Sequence, residues 1–166
     1  MKLIDRAIAA VQGRLPAEEA SAHCDIPCGI YDPHALQVAA HTVIRMVQLL
    51  EGLPDQLDKA TLNTATRHIA VKEEHAKIAE HEIIILWTDY FKPEHLEKYP
   101  NLHDVVWKAT KLTSTVKQQV SMQASQDLLS SAQQIAEMFW ATKGVQTKRQ
   151  PSGQPSGGEV VIPVTG

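Results

Sequence analysis

The sequence predicts an all-α protein, an antiparallel four-helix bundle, on three observations. Apolar residues recur at spacings of three and four along most of the chain. Short breaks rich in Pro and Gly separate these segments. No alternating apolar and polar run of strand type competes with them. Four amphipathic helices joined by short turns bury their apolar stripes against one another, each neighbour running back along the last.

The elements follow in order. Residues 1–22 place Leu3, Ile4, Ile8, Val11 and Leu15 at helical spacing and end in Ala20-Ser21-Ala22. Asp5, Arg6, Gln12, Arg14, Glu18 and Glu19 break the uninterrupted apolar stretch that an export signal needs. The segment therefore reads as a leader without an export function, and the expected location is cytoplasmic. Residues 23–33 hold both cysteines. Asp32-Pro33 then starts the first helix, because the Asp side chain accepts a backbone N–H that the helix leaves unpaired and Pro suits the first turn. Leu36, Ala40, Val43, Val47 and Leu50 form its stripe, and Gly52-Leu53-Pro54 stops it.

A longer helix is predicted over residues 55–90, with Leu62, Ala65, Ile69, Ala76, Ile83 and Leu86 facing inward, broken by Phe91-Lys92-Pro93. Tyr99-Pro100-Asn101 marks a further turn. The third helix is predicted over 102–120 and the fourth over 125–143, capped by Gly144. The bundle thus spans 34–144. Residues 145–166 include the low-complexity stretch 150–158, rich in Pro, Ser and Gly, and are expected to be a disordered tail with a loose apolar end at 160–164.

Bulk properties exclude several classes. The 166 residues suffice for one compact domain, and 43% apolar with 21% charged is ordinary for a globular chain. A net charge of -3 and the lack of a basic block argue against nucleic acid; Lys143, Lys148 and Arg149 read as a solvated helix end. The longest apolar run, Ile83-Ile84-Ile85-Leu86-Trp87, is far too short for a membrane span. Cys24 and Cys28 are the only cysteines, so this is not a disulfide-stapled scaffold.

Chemistry concentrates at His23, Cys24 and Cys28, with Pro27 and Gly29 bracketing the second cysteine. Such a segment can curl so that both sulfurs meet. On spacing alone, two structural cysteines, a redox pair and a metal site all remain open. A zinc site lacks a second cysteine pair, and the thioredoxin-type motif has two intervening residues where this chain has three. Histidines 41, 68, 75 and 81 lie on the first two helices, but no Glu has a His three residues on, so the di-iron bundle pattern is absent.

The run His23-Cys24-Asp25-Ile26-Pro27-Cys28-Gly29-Ile30-Tyr31-Asp32-Pro33 resembles the nickel-binding hook of the nickel superoxide dismutases at every fixed position. Leu86-Trp87-Thr88-Asp89-Tyr90-Phe91-Lys92-Pro93, Glu97-Lys98-Tyr99-Pro100 and Phe139-Trp140-Ala141-Thr142-Lys143 also resemble that family, so the likeness covers residues 23–143. It implies a four-helix bundle with an N-terminal nickel hook, assembled as a homohexamer and acting on the superoxide anion with one nickel ion per subunit.

It further implies that a maturation protease cuts between Ala22 and His23. The ligands are then the α-amino group and imidazole of His23, the backbone nitrogen and thiolate of Cys24 and the thiolate of Cys28. Tyr31 would line the substrate entrance, Asp25 would brace the hook, and Pro27 would follow a cis peptide. Lys92 and Lys143 are candidates for attracting the anion.

One feature departs from the pattern. A glutamate on the first helix and an arginine on the second, which support the axial histidine in some members, fall here on Ala39 and His75. His75 is the candidate replacement. The competing function for the same thiolates is a bundle that stores or delivers nickel or copper without turnover, which a superoxide assay on the cleaved, nickel-loaded protein would distinguish.

Overall fold

The structure, a computed structural model, describes residues 28–56 and 58–164. Four long helices make the bundle: α1 (His34–Glu51), α2 (Lys59–Ile85), α4 (Leu102–Gln118) and α5 (Met122–Thr142), with a short α3 (Pro93–Lys98) between α2 and α4. Helix α1 packs on α2, α2 on α4, α4 on α5 and α5 on α1, closing a ring around one core. Leu36, Ala40 and Val43 meet Ala76, Ile83, Leu102, Ala109, Leu128, Ala132, Ile135 and Phe139 there, all essentially buried. The alanines let the helix backbones approach closely, while Phe139 and the leucines fill the space between.

Local chemistry sets the boundaries. The His34 N–H donates to Asp32 Oδ1 at 2.7 Å, as the Asp-Pro start predicts. Asp58 accepts from the Thr61 N–H at 2.7 Å to begin α2, and Ser121 accepts from the Ala124 N–H at 3.2 Å to begin α5 a few residues ahead of the expected start.

Helix α2 does not run unchanged to residue 90. Leu86–Tyr90 forms a π-helical turn, closed by the Phe91 N–H donating to the Leu86 carbonyl at 2.9 Å. Such a turn accommodates one extra residue and re-aims the side chains that follow it.

The inner face of α2 also differs from the expected stripe. Leu62 and Ile69 are exposed, whereas Ala65, Lys72, Ala76, Ala79 and Ile83 line the seam. Leu62 and Ile69 lie about 60° round the helix from that seam, whereas Ala65, Ala76 and Ile83 lie on it as expected. Lys72 decides the register: its buried ammonium donates to the carbonyls of Val116, Lys117 (3.0 Å) and Gln119 (3.1 Å) at the end of α4. A cation among the unpaired carbonyls of a helix C-terminus is favourable. Burial nonetheless holds the Lys72 pKa below the ordinary 10.5, with Glu73 opposing that shift.

The tail expected to be disordered is instead an antiparallel hairpin, β1 (Thr147–Pro151) and β2 (Glu159–Pro163), seated on α1 and α5. Gln37, fully buried, grips the Val161 backbone in both directions, donating to its carbonyl at 3.0 Å and accepting its N–H at 2.8 Å. Gln133 donates to the Glu159 carbonyl at 2.7 Å, and Arg149 pairs with Glu137 at 2.7 Å. Gly158 (φ 73°) adopts a left-handed backbone with the His41 and Leu129 side chains 3.5 Å from where a Cβ would sit. The low-complexity composition therefore serves a tight loop, and the apolar end supplies Val161 to the interface. No helix among the described residues is long and apolar enough to cross a membrane.

Candidate metal centre

Residues 28–33 lead into the N-terminus of α1. Cys28 is half-buried, and the next residue, Gly29, has φ 71°, a conformation that lets the chain reverse immediately after the sulfur. The Ile30 N–H then points back to Cys28 Sγ at 3.5 Å. The same sulfur also reaches the Ile30 carbonyl at 3.9 Å, so the turn closes on Cys28 from both polar groups of Ile30. Ile30 itself is exposed, and Tyr31 turns back toward the bundle.

An aromatic wall receives it. The Tyr31 ring lies 5.5 Å from that of Tyr90, which lies 4.5 Å from Phe139 and stacks on His95 at 5.7 Å. The Tyr90 hydroxyl is 2.5 Å from Thr142 Oγ1, and the Thr142 hydroxyl also donates to the Phe139 carbonyl at 2.6 Å. Lys143 carries its ammonium over the rings of Phe139 (4.6 Å), Tyr90 (5.6 Å) and Trp140 (5.7 Å). The π-helical turn at the end of α2 and the last turn of α5 thus converge on the chain beside Cys28. Tyr90 and Phe139 were legible in sequence only as the aromatic clusters Trp87-Tyr90-Phe91 and Phe139-Trp140; their meeting is tertiary.

The remaining expected site residues divide clearly. His23, Cys24, Asp25 and Pro27, with the leader and the bond before His23, lie outside the described residues. Lys92 is exposed at the start of α3, where its backbone N–H donates to His95 Nδ1 at 3.2 Å. Ala39 is buried in α1, and His75, half-buried on α2, donates from Nδ1 to the Val71 carbonyl at 3.0 Å. Among the described residues, no three His, Cys, Asp or Glu side chains are grouped so as to hold a metal ion.

The comparisons with known proteins decide the family. The family model described as nickel-containing superoxide dismutase matches residues 18–143, about three quarters of the chain. The chain belongs to the nickel-containing superoxide dismutases. The nickel superoxide dismutase of Streptomyces coelicolor is 38% identical over 128 residues, 77% of this chain and 93% of that protein. A native nickel superoxide dismutase structure matches with TM-score 0.65 at 39% identity, covering 73% of this chain and 99% of the other. A second, with nickel ligation corresponding to the oxidized state, matches with TM-score 0.66 at 37% identity, covering 74% and 99%. The activity is accordingly superoxide dismutation and the cofactor is nickel. The four-helix bundle belongs to the region matched, and the hairpin at 147–163 lies beyond it.

The donor chemistry of Cys28 suits nickel: its thiolate would be a strong electron donor to the metal and would lower the cost of oxidising it.

Proposed function

We propose that the nickel of this dismutase is held by the amino group and imidazole of His23, the backbone nitrogen and thiolate of Cys24 and the thiolate of Cys28, and that the protein is active only after cleavage before His23. The observation that carries this reading is Cys28 itself. Its sulfur receives the Ile30 N–H beside the Tyr31–Tyr90 wall, while the described residues offer no alternative group of metal ligands.

Dismutation converts two superoxide anions and two protons into dioxygen and hydrogen peroxide. Bound nickel supplies a one-electron Ni(II)/Ni(III) couple, which thiolates and a deprotonated amide bring between the two half-reactions. The protein residues do the rest. Tyr31, braced by Tyr90, narrows the approach to the sulfurs, admitting a diatomic anion and limiting larger oxidisable or oxidising molecules. Lys143, exposed on the same aromatic wall, raises the local concentration of the anion. His75 keeps Nε2 for orienting the His23 ring, Nδ1 being committed to Val71.

Before cleavage the nitrogen of His23 is a protonated amide, a poor ligand, so the cut converts a non-binding chain into a binding one. A maturation protease, a homohexameric assembly and a cytoplasmic location belong to the same reading.

Cys24→Ser and Cys28→Ser are each expected to abolish both nickel content and dismutase activity. Nickel-dependent activity in either variant overturns the ligand assignment. His75→Ala is expected to alter the nickel redox potential; an unchanged potential and rate remove its orienting role.

A further inference from the structure

A cavity of about 170 Å³ lies between α1 and the hairpin. Helix α1 contributes His34, Val38, Thr42 and Arg45, and the hairpin contributes Gln154, Pro155 and Val160. Its hydroxyls are already committed to the protein. Thr42 donates to the Val38 carbonyl, Ser152 to the Gly157 carbonyl, and Ser156 lies 3.0 Å from His41 Nδ1. His41 also donates from Nε2 to the Glu159 carbonyl at 3.2 Å, so both ring nitrogens are occupied.

Arg45 is different. Among the described residues its guanidinium makes one hydrogen bond, to Gln48 Oε1 at 3.2 Å, and takes part in no ion pair. Among the described residues, no Asp or Glu lines the cavity. Since a guanidinium carries five N–H donors in a planar fork, most of its capacity remains for a bidentate partner. The other recognition surface is apolar: Val38, Pro155 and Val160. A cavity of about 150 Å³ accepts benzene, which sets the size of the apolar body that this space can take.

We propose that this cavity is a binding site for a small organic carboxylate with an apolar body about the size of a benzene ring, its carboxylate paired with Arg45 and its body against Val38, Pro155 and Val160. Such a ligand touches α1 and the hairpin at once, so its binding fastens the hairpin to the bundle. The hairpin lies beyond the region matched by the dismutase family, so the site is an addition to the bundle.

Benzoate is the probe, titrated into the whole protein by calorimetry, with amide hydrogen exchange followed over residues 152–158. Saturable one-to-one binding is expected, with slower exchange in that loop. Benzamide, which has the same shape without the charge, is expected to bind at least tenfold more weakly, and inorganic phosphate likewise. Arg45→Gln is expected to weaken benzoate at least tenfold and to leave superoxide dismutation unchanged. No saturable binding at millimolar benzoate overturns the proposal. Equal binding of benzamide or phosphate does the same, as does an Arg45→Gln variant that binds within twofold of the parent.

Discussion

Phe139→Ala tests whether the wall beneath Tyr31 is a single packed unit. Phe139 is completely buried in α5, with the Tyr90 ring at 4.5 Å, the Trp140 ring at 5.0 Å and the Lys143 ammonium at 4.6 Å. Truncation to Ala forfeits the burial of the ring and leaves a cavity, which together cost about 3–5 kcal/mol in well-packed cores. The Tyr90 contact adds roughly 0.5–1.5 kcal/mol beyond area. Against a total stability of about 5–15 kcal/mol this is a large share of what holds the chain folded, and the melting temperature falls by on the order of 10 °C.

Thermal and urea unfolding followed by circular dichroism read this loss. A double-mutant cycle with Tyr90→Leu then isolates the pair, with an expected coupling of about 1 kcal/mol. Trp107→Ala is the control: Trp107 is 57% exposed, and its loss is expected to cost well under that of Phe139. A Phe139→Ala loss below about 1 kcal/mol, or additive Phe139 and Tyr90 variants, would refute the packed wall.

Two further expectations concern the hairpin. Gln37→Leu leaves the buried N–H and carbonyl of Val161 without their partner, costing about 2–4 kcal/mol, and hydrogen exchange at β2 should quicken while the core of α4 remains protected; uniform exchange across the chain would show that the hairpin has no local clamp. His41, buried beneath the hairpin, has its pKa lowered from 6.5 by burial, with the Glu159 carbonyl opposing. The unfolded chain therefore takes up a proton first as pH falls, so this contribution to stability is full above about pH 6.5 and is lost on descending through the lowered pKa. Melting temperatures measured on either side of that window should drop in the parent and drop less in His41→Gln; equal pH slopes would remove His41 as the cause.

The bundle was legible because its determinants are local. Periodic apolar residues, Asp32-Pro33, Gly52 and Gly144 mark helices through their own backbone chemistry. What escaped the sequence reading was set by distant partners. Lys72 looks like a surface residue until the carbonyls that end α4 are brought to it, and that contact moves Leu62 and Ile69 to the exterior. The π-helical turn at Leu86–Tyr90 has no compositional marker, although it aims Tyr90 at Tyr31 and Phe139.

The hairpin was missed for a similar reason. Pro, Ser and Gly describe disorder as well as they describe a tight loop, and the difference is made by Gln37, His41 and Gln48 on α1 with Gln133 and Glu137 on α5. The site was legible in the opposite way. The run from His23 to Pro33 is specific as a string, while its placement against the wall through Cys28 and Tyr31 depends on the fold.

The central claim, that cleavage before His23 creates the nickel site, is tested most directly by weighing the chain and its metal in one sample. Intact mass spectrometry of the active protein, paired with nickel analysis, is expected to show a chain beginning at His23 with one nickel ion per subunit, and an uncut chain with neither nickel nor activity. An uncut chain that retains residues 1–22, carries stoichiometric nickel and dismutes superoxide at the full rate would contradict it.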